Sequence, residues 1–243
     1  MTGTAAAPAI IELAGVEKTY RSAGGRGRGR GVGFRALSGV DLSIAAAEMV
    51  AITGPSGSGK TTIINLIAGI DRPTAGTVTV NGSRLDQMTE EKLAVWRGHT
   101  IGIVFQFFQL MPTLTAVENA TLPLDLARVG PVRERKAVAS RHLATVGLAG
   151  RGDRLPLELS GGEQQRVAIA RAMACGPPVL LGDEPTGNLD TALAREMFDL
   201  LKGLNGNGTT VVYVTHDQAF AGLASRIVSV RDGLVVGDTG PRP

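Results

Sequence analysis

Residues 54–61 read Gly-Pro-Ser-Gly-Ser-Gly-Lys-Thr, and no other stretch limits the fold of this chain as tightly. The segment fills every fixed position of G-x-x-x-x-G-K-[ST]. Met49–Ile52, just before it, is a short, continuously apolar run, as in a parallel strand buried on both faces. Thr62–Ala68, just after it, has helical apolar spacing. A chance glycine-rich turn would not need both flanking elements. Glycines let the backbone curl until successive N–H groups converge on one anion, and the helix start adds a favourable dipole. Gly54, Pro55, Ser56, Gly57, Ser58, Gly59, Lys60, Thr61 and Thr62 are therefore candidate contacts for nucleotide phosphates. Lys60 would neutralise the β- and γ-phosphates, and the Thr61 hydroxyl would ligate Mg²⁺.

Val179–Gly182 is a second apolar strand pattern, and it ends in Asp183 and Glu184. Ligand groups in open α/β sheets sit at the carboxyl ends of strands. Asp183 is thus placed to hold Mg²⁺, and Glu184 to orient and polarise a water. Alone, the pair would read as a solvated strand end before a Pro185 turn; a complete phosphate loop upstream favours the functional reading. Val211–Val214 ends in Thr215, His216 and Asp217 in the same way. A lone histidine is usually structural, but this one is placed to reach a γ-phosphate.

Ser160-Gly161-Gly162-Glu163-Gln164-Gln165-Arg166 opens a run of good helix formers, Val167–Ala172. A serine hydroxyl and free glycine N–H groups form another phosphate-sized site at a helix start. Ser160 and Glu163 also fit the S-x-x-E capping box, and both readings hold together. One fold rarely needs two phosphate nests for one nucleotide. A two-fold dimer resolves this if each chain's second nest covers its partner's nucleotide.

Ser160-Gly161-Gly162-Glu163-Gln164 resembles the signature motif of ABC ATPases. The order of phosphate loop, glutamine loop, signature, Asp-Glu strand and switch histidine is similar to that family over nearly the whole chain. The resemblance implies an α/β fold: a P-loop NTPase core of ABC ATPase type, an N-terminal antiparallel β subdomain and a helical subdomain insert. It implies one domain over 1–243, with the core in 1–90 and 160–243 and a mainly helical part in 91–159. It further implies that Tyr20 stacks on adenine and that Gln106 senses Mg²⁺ and the attacking water. Ser160, Gly161 and Gly162 would contact the partner's ATP, Asp190 would lie at the dimer seam, and His216 would hold the γ-phosphate. The implied activity is ATP hydrolysis with Mg²⁺, coupled to an integral-membrane permease by a homodimer on the cytoplasmic face of the cell membrane. Val104–Gln106, Pro112–Asn119 and Asp183–Asp190 are similar to the lipoprotein-release, macrolide-export and peptide-antibiotic-resistance branch. A regulatory ATPase of a cell-division or other membrane complex is the alternative within that resemblance.

Three positions depart from the family pattern. Ala47 stands where glycine is usual, Gly182 replaces a common alanine in a change expected to matter little, and a longer Gly/Arg-rich loop follows Tyr20.

Composition excludes other classes. At 43% hydrophobic and 19% charged, the 243-residue chain is globular rather than disordered. A net charge of +3 gives no clustered basic face beyond Arg21–Arg35, so nucleic acid is not expected as a partner. Within that cluster, Gly24–Gly33 reads as a low-complexity loop, solvated or drawn to anionic lipid or RNA. One cysteine, Cys175, forms no internal disulfide, which suits a reducing compartment. No apolar run approaches the ~18 to 20 residues of a membrane span, so any membrane role is expected through a partner. Residues 1–9 read as frayed and carry no signal-peptide pattern, and no sizeable regulatory domain is expected after His216. Phe105, Phe107, Phe108, Leu110 and Met111 around Gln106 are expected to divide between core packing and a groove for a partner's helix.

Overall fold

The computed structural model describes residues 9–21 and 33–240. The calls on residues 1–8 and on 24–32 of the Gly/Arg loop lie outside these. Gly33, read with that loop, instead opens a strand and pairs with Arg21.

Two sheets form the frame. The first is antiparallel, in the order β2 (Gly33–Ala45), β1 (Ala9–Arg21), β4 (Ala75–Val80), β5 (Ser83–Arg84). The expected strands Ile10–Leu13, Asp41–Ile44 and Val78–Val80 are parts of β1, β2 and β4, and Asn81-Gly82 makes the turn into β5. The second sheet has six strands, in the order β10 (Leu234–Asp238), β9 (Arg226–Arg231), β3 (Met49–Thr53), β8 (Thr210–Val214), β7 (Val179–Asp183), β6 (Ile101–Phe105). All its pairings are parallel except β10 with β9.

The apolar runs of the central strands follow from burial on both faces. Val50, Ile52, Val212, Val214, Val179 and Leu181 enter one core with Ile63, Ile64, Leu66 and Ile67 of α1 (Lys60–Ile67) and the inner face of the first sheet. Met49, Ala51, Val211, Tyr213 and Leu180 point the other way. They join α3 (Ala116–Leu126), α4 (Val132–Thr145), α5 (Gly161–Met173) and α6 (Thr191–Gly206) in a second core. The predicted helix 131–146 is α4 with its two caps, and Gly147 beyond it is left-handed at φ +81°, as a helix stop requires.

The helical insert needs one adjustment. Residues 91–159 do hold most of α2 (Glu90–Thr100) and all of α3 and α4, but they also supply β6. That strand pairs with β7 from Ile101↔Val179 to Phe105↔Asp183, so five residues near the start of the segment belong to the sheet before the helices resume. The five-residue apolar run Ile101–Phe105 leads straight into Gln106, which masked it as part of the helical region.

Ala47, where the family usually has glycine, sits in the turn before β3. Its φ is +60°, the region glycine favours. The turn is held by Ala47 N–H donating to Thr210 Oγ1 (2.9 Å) and by Asn205 Nδ2 donating to the Ala47 carbonyl (2.9 Å).

Candidate nucleotide site

Register places the site. Ile52 of β3 is level with Val214 of β8, Val214 with Asp183 of β7, and Asp183 with Phe105 of β6. The chain therefore leaves four parallel strands at one edge, through Gly54, Thr215, Glu184 and Gln106. This is the carboxyl edge where open α/β sheets bind ligands.

The phosphate loop is shaped by contacts that exclude side chains. A Cβ on Gly54 would lie 2.0 Å from the Val230 carbonyl oxygen, and one on Gly59 would lie 2.7 Å from that of Ala36. Gly59 is also left-handed, at φ +106°, and caps α1 without any side-chain hydrogen bond. The first-turn N–H groups of α1 are thus left to an anion. Ser58 Oγ is buried within the loop with no hydrogen-bond partner among the described residues. Lys60 is buried and donates to the carbonyls of Gly54 (2.9 Å) and Pro55 (2.8 Å). Burial lowers its pKa, and the nearby Glu184 and Asp183 carboxylates oppose the shift.

Thr61 Oγ1 donates to Asp183 Oδ1 (3.3 Å), joining the loop to the end of β7. Burial holds the Asp183 carboxyl above the usual aspartate range. A hydroxyl beside a partly buried carboxylate is an oxygen donor set suited to Mg²⁺. No cluster of three or more metal-ligating side chains occurs among the described residues, so phosphate oxygens and water would have to complete the coordination.

Glu184 adopts φ +49°, a strained conformation of the kind that clusters at functional sites. Its N–H donates to the Val214 carbonyl (3.1 Å), and its Oε1 lies 3.1 Å from His216 Nδ1. Gln106 packs on the loop after Glu184: a Cβ on Gly187 would lie 2.9 Å from Gln106 Nε2, and Asn188 Nδ2 donates to the Gln106 carbonyl (2.8 Å). Gly182 is closely packed: an alanine methyl there would lie 3.1 Å from both Pro185 Cγ and Tyr213 Cβ.

The remaining candidates make no hydrogen bond to Asp183, Glu184 or His216. Ser160 caps α5 in a full capping box, accepting from Glu163 N–H (3.3 Å) while its own N–H donates to Glu163 Oε2 (2.9 Å). That bond holds the Glu163 carboxyl below the usual range. Ser160 and Gly161 are exposed, and α5 packs on α3, α4 and β6, whereas α1 packs on β4, β7 and β8. Gly162 lies against Leu193 of α6, whose N-cap is Asp190, accepting from Ala192 N–H (2.9 Å) and Leu193 N–H (3.0 Å). Tyr20 donates to Asp71 Oδ2 (2.8 Å), and the Lys18 ammonium sits 4.8 Å from its ring centroid.

Sequence reasoning missed two residues here. Phe34, the cross-strand partner of Tyr20, is 60% exposed and lines a cavity with Gly57, Gly59, Lys60, Thr61 and Thr62. It borders the low-complexity loop, which hid its strand. Gln165 is fully buried in α5, and its position on the face of Ala168 and Ile169 was the available signal.

The profile of the family described as "ABC transporter" matches residues 37–187, from the middle of β2 through the loop after Glu184. The chain belongs to the ABC transporter ATP-binding family. It is 45% identical over 227–235 residues to several such proteins. The lipoprotein-releasing system ATP-binding protein LolD of Anaeromyxobacter dehalogenans shares 45% identity, over 94% of this chain and 93% of its own length. The macrolide export ATP-binding/permease protein MacB of Nitrobacter winogradskyi shares 43%, over 97% of this chain but only 35% of its own length. A solved dimeric structure of the ATP-binding cassette MJ0796, in a post-hydrolysis state bound to ADP and Pi, superimposes with a TM-score of 0.85 at 40% identity. It covers 96% of this chain and 99% of that one. The ABC cassette described here is thus an ATP-hydrolysing subunit of transporter type with an α/β fold. No helix among its described residues is long and apolar enough to cross a membrane.

Proposed function

We propose that two copies of this chain close head to tail on two Mg-ATP, and that closure drives an integral-membrane permease in export or in extraction of a lipoprotein or other substrate. The observation that carries this reading is the separation of two anion-ready helix starts. One, at Lys60, faces Asp183, Glu184 and His216; the other, at Ser160, is exposed on a helix that packs elsewhere. A second copy brings the exposed one over the first.

In this reading Lys60 and the loop N–H groups hold the β- and γ-phosphates, and Tyr20 with Phe34 walls the base. Thr61 and Asp183 hold Mg²⁺, which supplies charge compensation on the phosphate oxygens when bound. Glu184 polarises the water that attacks the γ-phosphorus and releases ADP and phosphate. His216 and Gln106 position the γ-phosphate and the water. The partner chain adds Ser160, Gly161, Gly162 and Asp190 at the seam. Phe107 and Met111, both exposed beside Gln106, offer the permease an apolar contact next to the site it must control. Such coupling places the chain on the cytoplasmic face of the cell membrane.

Size-exclusion chromatography tests this. Glu184→Gln keeps the shape of the side chain but removes the carboxylate, so Mg-ATP should persist and the chain should elute as a dimer. Adding Ser160→Arg fills the second nest and should return it to monomer. A monomer at saturating ATP for the single variant, or a dimer for the double, overturns the two-chain reading.

A further inference from the structure

Gln165 is a polar side chain with no solvent exposure, lodged in a helix whose neighbours on that face are Ala168 and Ile169. Its Nε2 donates to the carbonyl oxygen of Pro185. Its Oε1 is buried and has no partner among the described residues. An unpaired buried amide oxygen is unfavourable, so packing alone would be served better by Met or Leu. What the glutamine supplies is the donor.

The acceptor is informative. Pro185 follows Glu184, where β7 has ended and the backbone stands at φ +49°. The backbone at the strained residue is held by few bonds: its N–H to Val214, its carbonyl to Gly187 N–H (3.0 Å), and the Gln165 contact one residue on. The same helix grips the other water-facing segment. Arg171, which forms no ion pair among the described residues, donates to the carbonyls of Gln109 (2.5 Å) and Phe108 (2.8 Å), just beyond Gln106. Gln109 is also left-handed, at φ +53°. Phe108 in turn reaches toward the signature, with its Cζ 3.9 Å from where a Cβ on Gly161 would lie. One rigid helix therefore begins at the exposed Ser160 and is bonded to the segments that carry Glu184 and Gln106.

We propose that Gln165 is a positioning residue for Glu184: through the Pro185 carbonyl it carries displacement of the Ser160 end of α5 to the water-polarising carboxylate of the same chain. The inference rests on the two-chain reading. Nucleotide held by the partner would then set Glu184 in this chain, so that each ATP licenses hydrolysis of the other.

The test uses the full chain and Mg-ATP. Gln165→Met keeps length and packing but cannot donate. It should lower kcat about tenfold with KM within about twofold, because the group moved acts only on the chemical step. In the Glu184→Gln background the same change should leave ATP-dependent dimerisation intact, which separates failure of this inference from failure of the two-chain reading. Gln165→Glu provides the rescue. A buried carboxyl stays protonated and donates its O–H to Pro185, so at about pH 6 it should keep kcat within about threefold of the unaltered chain. If Gln165→Met melts too low to assay, Gln165→Glu alone decides between about pH 6 and pH 8.5, where ionisation removes the donor. Its kcat should then fall relative to the unaltered chain. An unchanged kcat in Gln165→Met, equal losses in the Met and Glu variants at the lower pH, or parallel pH profiles would overturn the proposal.

Discussion

Glu184 directly follows Asp183 of β7, His216 stands two residues beyond Val214, the register partner of Asp183 on the adjacent parallel strand β8, and the two side chains meet at 3.1 Å between Oε1 and Nδ1. The pair joins a strained, partly buried carboxylate to an imidazole whose side chain is 70% exposed. That geometry lets one group face a water and the other an incoming phosphate. His216→Ala should lower kcat on the order of 100-fold, the range for a lost group that acts on the reacting atoms. Nucleotide affinity should change by less than about threefold, because the phosphate loop is untouched. A rise in KM at constant kcat would assign His216 to ground-state binding instead.

Phe34 and Tyr20 are register partners across β1 and β2, and Phe34 lines the cavity beside the phosphate loop. The Tyr20 hydroxyl is committed to Asp71 and one ring face to Lys18, so Phe34 is the more open surface. Aromatic stacking on a base is worth ~1–3 kcal/mol. Phe34→Ala should therefore weaken binding of a fluorescent ATP analogue about tenfold, and Tyr20→Ala should do the same or less. Unchanged affinity in Phe34→Ala would remove it from the base pocket.

Much of this site was legible because its chemistry is local in sequence. The phosphate loop, Asp183–Glu184, His216 and Ser160–Gly162 are each short runs with fixed spacing beside an apolar strand or helix. The strands Met49–Ile52, Val179–Leu181 and Val211–Val214 could be read because burial on both faces leaves no polar positions. What stayed hidden depended on distant partners. Ile101–Phe105 lies among helices, and only pairing with β7 makes it part of the sheet. Gln165, on the apolar face of its helix, and Arg171 show no partner in the sequence until the backbone carbonyls they reach are known. Phe34 sits at the border of a glycine-rich loop, where propensity argues against a strand.

Ala47 adopts φ +60° in the turn before β3, where its methyl group gives no evident packing in return. A left-handed L-residue costs about 1–2 kcal/mol, and glycine gives back about 0.4–1 kcal/mol through the unfolded chain. Ala47→Gly should thus stabilise the fold by about 0.5–1 kcal/mol. For a chain of this size the melting temperature should rise by about 1–4 °C. ATPase activity should not change. A lower melting temperature would mean that the bonds from Thr210 and Asn205 relieve the strain in full.

Asp183 carries a stability cost that its ligand should repay. Burial raises its pKa most, the Thr61 hydrogen bond opposes this, Glu184 adds to it and Lys60 opposes it, with a net upward shift. A raised folded-state pKa means that the folded chain binds the proton more tightly than the unfolded chain. The associated stability is full below the ordinary aspartate pKa and is lost as pH rises through the raised value. At neutral pH the ionised carboxylate is therefore a destabilising group in the nucleotide-free chain. Asp183→Asn keeps the shape and removes the charge, so it should melt higher than the unaltered chain at about pH 7. The two should converge as the pH falls below the ordinary aspartate pKa, where the carboxyl is neutral in both the folded and the unfolded chain. Mg-ATP should reverse the order at neutral pH, since a ligand that needs the carboxylate stabilises only the chain that has it. Thermal melts at neutral pH and below the ordinary aspartate pKa, with and without Mg-ATP, check each step. If Asp183→Asn melts lower than the unaltered chain without nucleotide at neutral pH, Asp183 is a structural carboxylate rather than one held ready for a cation.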